Sequence, residues 1–131
     1  MIAVDTNVLA RYLLADDAKQ AAAARKLLEN ANDDIWIPIT VVLELAWVLR
    51  SAGAPRVAIA MKLRELAAVP GVRVQHPGRL NQALHWSEQG IDLADALHLA
   101  LSAEASRFVT FDEALIAGVR RIGAQPPVGH S

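Results

Sequence analysis

The sequence predicts an α/β protein, a three-layer helix–sheet–helix sandwich built on a mostly parallel sheet of four or five strands. Short stretches rich in β-branched residues, "IAV", "IWI", "VRV" and "RFVTF", alternate with longer stretches of helical periodicity. That alternation is the signature of parallel strands joined by crossover helices. No repeat, low-complexity tract or linker divides the 131 residues, of which 53% are hydrophobic. A single domain over residues 1–131 follows, large enough to build a core without staples.

Each element has its own justification. Ile2, Ala3 and Val4 read as a buried strand that ends at Asp5. "NVLARYLL" (7–14) is a short amphipathic helix. "DAKQAAAARKLLENAN" (17–32) is a stronger one, capped by Asp17 and rich in good formers. "IWIP" (35–38) is a strand closed by proline. Thr40 is expected to cap "VVLELAWVLRSAG" (41–53), which is apolar nearly all round and so should be central and buried. Pro55 starts a helix that ends before Pro70 and Gly71; "VRV" (72–74) is a strand, and "GRLNQALHWSEQG" (78–90) is a helix stopped by Gly90. "DLADALHLALSAEAS" (92–106) is a helix, "RFVTF" (107–111) a strand, and "DEALIAGVRRIG" (112–123) a last helix ended by Gly123. The remaining residues, 123–131, are expected to give an edge strand and a frayed tail, because Pro126 and Pro127 tolerate only an edge position.

Composition narrows the function. There is no cysteine, which excludes disulfides and thiolate metal sites and fits a reducing cytoplasm. The N-terminus has no basic segment followed by an apolar stretch, so no signal peptide is expected. The longest apolar run, residues 35–49, contains Pro38 and Glu44 and falls short of the roughly 20 residues of a membrane span. The net charge is −1, which gives no overall basic signature. If four acids sat on a metal, however, thirteen basic side chains against the remaining ten acids would leave +3. Most of those cations are arginines, suited to bidentate phosphate contact.

Four carboxylates stand out. Asp5 and Asp112 each follow a strand, and Glu44 and Asp95 lie in the first turns of helices. In parallel sheets these positions converge at the carboxyl edge, where ligands bind. Each has an ordinary explanation too. Asp112 and Asp92 suit helix caps, and Asp5 suits a side-chain turn. Glu44 is different, because its neighbours in "VVLELAWVL" are apolar. Several carboxylates at one edge would repel unless a cation held them, and Mg²⁺ prefers such oxygens while keeping several waters. His76, His85, His98 and His130 are scattered, with only His98 near an acid, so zinc is not indicated. A phosphotransferase using Asp5 as nucleophile is disfavoured by Asn7 where a second Asp would be needed.

Together "VDTN" (4–7), "ITVVLELAWVL" (39–49), "IDLADALHLALSAEA" (91–105) and "FVTFD" (108–112) resemble the PIN domain, in order from Met1 to about Gly123. The likeness is greatest to VapC-type toxins of bacterial toxin–antitoxin pairs. The resemblance implies an Mg²⁺- or Mn²⁺-dependent ribonuclease with Asp5, Glu44, Asp95 and Asp112 as its acidic quartet, holding the metal. It implies that Thr6 hydrogen-bonds within the site, that Asn7 and Thr110 support it, and that Asp92 ranks below the quartet. It further implies an RNA substrate, a homodimer and a cognate antitoxin. Arg11 and Arg50 are the cations expected to hold RNA phosphates. The alternative is a non-catalytic PIN-like module that binds RNA or protein.

Overall fold

The computed structural model describes residues 1–30 and 32–130. Ala31, inside the expected helix 17–32, and Ser131, the last residue of the expected tail, lie outside the described residues. The chain forms two compact units, Met1–Pro77 and Gly78–Ser131.

In the first unit the order is β1 (Ile2–Ala3), α1 (Thr6–Leu14), α2 (Ala18–Asn30), β2 (Ile35–Ile37), α3 (Ile39–Ser51), α4 (Arg56–Ala67) and β3 (Val72–Val74). The strands form one parallel sheet in the order β1-β2-β3, with Ile35 opposite both Ile2 and Val72. Each crossover carries two helices, as parallel strands require a connection of a dozen or more residues. The central strand is the apolar one. Ile35 and Ile37 are buried, and around them lie Leu9 of α1, Leu28 of α2, Leu45 and Leu49 of α3 and Leu63 of α4, all essentially without exposure. Each fully buried leucine contributes on the order of 1.5–3 kcal/mol.

The second unit continues with α5 (Pro77–Glu88), α6 (Leu93–Leu101), β4 (Phe108–Val109), α7 (Glu113–Ile122) and β5 (Val128–Gly129). β4 and β5 pair in parallel, Phe108 opposite Val128. The expected edge strand therefore forms after Pro126 and Pro127, which precede it rather than interrupting its ladder. Its core is Leu84, Ala96, Leu97, Leu99, Ile116 and Val119. Gly118 of α7 lets that helix approach Ile91, whose Cδ1 would lie 2.8 Å from a Cβ at position 118.

The α/β class and parallel pairing are those the sequence predicts. Where four or five strands were expected in one sheet, hydrogen bonding joins the five as a set of three and a set of two. Four local expectations need correction. Ile2 and Ala3 are exposed, not buried, and of the opening three apolar residues only Val4 turns inward; among the described residues β1 pairs with β2. Thr40 does not cap α3. The helix starts two residues earlier behind Pro38, which offers no side-chain cap, and the Ile39 N–H donates instead to Gln75 Oε1 at 3.0 Å. α3 is not buried all round, since Val42, Leu45, Ala46 and Leu49 make one inward stripe while Thr40, Glu44, Trp47 and Arg50 are exposed. α6 stops at Leu101 instead of running to 106, where Ser102 Oγ donates back to the His98 carbonyl at 2.7 Å and competes with helix continuation.

Candidate active site

The second unit assembles three acids by capping two helices. Asp92 is the N-cap of α6, its Oδ2 accepting from the Asp95 N–H at 3.3 Å. Asp112 is the N-cap of α7, its Oδ1 accepting from the Leu115 N–H at 3.0 Å. Helix N-termini favour such carboxylates through their unsatisfied N–H groups and dipole. Asp95 then occupies the first turn of α6, half-buried. Its carboxyl holds its proton more tightly than an ordinary aspartate. Burial is the main cause, the negative charges of Asp92 and Asp112 add to it, and His98 works in the opposite direction. The structure thus brings Asp92, Asp95 and Asp112 within electrostatic reach of one another. Thr110 lies beside Asp112, its Oγ1 accepting from the Asp112 N–H at 3.1 Å.

In the first unit Asp5 is the exposed N-cap of α1, its Oδ1 accepting from the Thr6 N–H at 2.7 Å. The expected hydrogen bond of the Thr6 side chain is not made. Thr6 is buried, and its Oγ1 has no partner among the described residues, a state that costs about 1–3 kcal/mol. Glu44 lies on the open face of α3, where its apolar neighbour Trp47 is exposed as well. The sequence argument for it fails because helical neighbours at 42, 45, 46 and 49 turn inward and leave position 44 to solvent. Asn7 and Arg11 of α1 line an open groove of about 360 Å³ with Gln20, Ala23 and Leu27 of α2. Arg11 is paired with Asp16 at 2.9 Å, and Arg50 is exposed in the last turn of α3.

No three histidine or acidic side chains among the described residues stand close enough to hold a metal ion together. The donor chemistry nevertheless suits a hard cation. Burial and the carboxylates of Asp92 and Asp112 raise the cost of ionising Asp95, and Mg²⁺ needs only one or two carboxylates when waters and phosphates complete its shell. Sequence reasoning gave no role to Gln75, because a cap delivered from 36 residues away leaves no local signal.

The PIN domain family model matches residues 2–120. The chain belongs to the PIN domain family. Among solved structures it is similar to a crystal structure of VapC20 from Mycobacterium tuberculosis, described as a sarcin-ricin loop cleaving toxin. The two are 24% identical over 89% of this chain and 94% of that chain, with a TM-score of 0.46. No curated protein matches. Among the described residues no helix is long and apolar enough to cross a membrane.

Proposed function

We propose that this chain is a ribonuclease of the VapC toxin kind, cleaving RNA phosphodiester bonds with Mg²⁺ or Mn²⁺ and restrained by a cognate antitoxin. The observation that carries the reading is Asp95, a half-buried carboxyl in a PIN domain made harder to ionise by burial and by Asp92 and Asp112. Such crowding is what a divalent cation relieves.

Asp95 and Asp112 are the proposed metal ligands of the second unit; on the sequence pattern Asp5 and Glu44 belong to the same set. When bound, the cation supplies Lewis-acid polarisation of the scissile phosphate and lowers the pKa of an attacking water. Asp92 and Thr110 act by position, one holding the Asp95 backbone and the other the Asp112 backbone. Asn7, exposed on α1 two residues beyond Asp5, is assigned a supporting role in the site. Arg11 and Arg50 hold RNA phosphates, so binding weakens with salt; a phosphate at Arg11 competes with Asp16. A homodimer in the cytoplasm is part of the same reading, with apolar surface on α1, α2 and α4 as the place for protein partners.

The second reading is a non-catalytic PIN-like module that binds RNA or protein. It is favoured by the lack, among the described residues, of three acids close enough to share an ion. One experiment separates the two. Purified protein is incubated with single-stranded RNA and Mg²⁺ or Mn²⁺, with and without EDTA, beside Asp5→Asn and Asp95→Asn. The ribonuclease reading expects cleavage that EDTA stops and that both variants lose while staying folded. Variants that cut as fast as the parent would sink it.

A further inference from the structure

We propose that Trp47 in the first unit and, independently of it, Phe111 in the second are each a stacking platform for an unpaired RNA base, a proposal that rests on the ribonuclease reading above and names how its substrate is gripped. The chain has few aromatic side chains, and most are covered. Trp86 is buried, and Trp36 and Phe108 are half-buried. Trp47 and Phe111 are the exceptions, exposed by 68% and 83%. A single exposed apolar residue needs no explanation. The placement of these two does, because each adjoins a different candidate acid.

Trp47 follows Glu44 by three residues on α3, so the two side chains are neighbours on one helix face. Both are exposed. One helix face therefore presents a carboxylate and a large aromatic plane side by side. Those groups suit a nucleotide chain at a metal-bound phosphate and at the neighbouring base. Phe111 directly precedes Asp112 in the turn between β4 and α7. The turn is pinned on both sides of the ring, by the Thr110 N–H donating to the Gly129 carbonyl at 3.0 Å and by the Thr110 side chain accepting from Asp112. The ring is thus held outward by an ordered backbone, which limits the entropy lost when a base stacks on it.

Stacking of bases on aromatic rings is how proteins take hold of single-stranded RNA, and it is tolerant of sequence because every base has a π-face. In this chain the net charge of −1 gives little general attraction for a polyanion, so stacking adds grip that overall charge does not supply. The proposal makes the protein selective for unpaired over paired RNA, since bases inside a duplex cannot reach the rings.

The test measures binding in EDTA, where no cleavage occurs, to a fluorescein-labelled oligouridine of roughly 12 nucleotides. An abasic oligomer of the same backbone charge is the control. The parent should bind the base-bearing oligomer more tightly than the abasic one. Trp47→Leu and Phe111→Leu should each weaken binding to oligouridine by about tenfold and leave the abasic oligomer unaffected. Trp47→Phe should keep most of the affinity, which a merely structural role for the indole would not explain. Equal binding by parent and leucine variants overturns the proposal, and so does an equal loss on both oligomers. Light scattering gives the remaining arm. A parent dimer that becomes a monomer in Trp47→Leu assigns the ring to a second copy of the chain and also overturns it. If the variants behave as expected but the parent never cuts with Mg²⁺, the ribonuclease reading alone fails. If the parent cuts and the variants bind as it does, stacking alone fails.

Discussion

The helices that carry the acids start in two different ways. In the second unit, α6 and α7 are each begun by their own aspartate, and the cap and the candidate ligand are the same residue or sit three apart. In the first unit α3 has no side-chain cap of its own; Gln75 reaches Ile39 from beyond α4, and the exposed Glu44 side chain makes no hydrogen bond or ion pair among the described residues. The contrast separates structure from chemistry. Acids of the second unit serve the fold whatever else they do. Glu44 has no structural work, so a substitution there reports on function alone.

Four predictions sharpen that contrast, beginning with the largest effect. Asp95→Asn should lower RNA cleavage by more than about a hundredfold, measured with Mg²⁺ under single-turnover conditions, while circular dichroism stays native. Glu44→Gln should reduce cleavage by about 10–100-fold with a melting temperature indistinguishable from the parent. Unchanged cleavage there would confine the chemistry to the second unit. Asp112→Ala should cost about 1 kcal/mol of stability by removing the α7 cap, a fall of about 3 °C in melting temperature. Asp112→Asn should recover most of that stability, because asparagine caps nearly as well, yet leave cleavage lost. An Asn variant that regained activity would reduce Asp112 to a cap.

The smallest effect is in pH. Asp95 holds its proton more tightly in the folded protein than at the ordinary value of 3.8, so folding binds protons. The folded state is therefore favoured at low pH and loses this contribution as pH rises through the folded pKa, so the penalty is fully present at neutral pH. Asn carries no such penalty. In metal-free buffer Asp95→Asn should unfold at higher urea than the parent at pH 7, with the difference vanishing toward pH 3. A difference that instead grows on acidification would contradict the electrostatic picture of α6 and α7.

Much of this was legible in the residues. Asp17 was read as the α2 cap, and the structure has it accepting from the Gln20 N–H at 3.0 Å. Gly123 was read as the end of α7 and adopts the left-handed conformation with φ of 70°. Asp92 and Asp112 were read as caps as well as candidate ligands, and both cap. These succeed because donor and acceptor lie within four residues. The reading of Glu44 failed for the opposite reason. A helix of "VVLELAWVL" can turn any side to the core, and hydropathy by itself does not say which apolar residues are left outside. Trp47 was left out although its neighbours Ala46 and Leu49 went in. The Thr40 cap failed because Pro38 and Gln75 offered a start two residues earlier, and only packing brings Gln75 there.

What the chain determined by itself is the alternation of short strands with helices and the placing of Asp5, Asp92, Asp95 and Asp112 at helix N-termini. Caps and periodicity act over one or two turns, so their causes are contained in neighbouring residues. Tertiary structure decided which face of α3 is open, how far α6 runs, that Gln75 closes α3, and that Asp95 feels the charge of Asp112 seventeen residues away. Those outcomes depend on distances across the fold, and both burial and Coulomb forces act through space without regard to order along the chain.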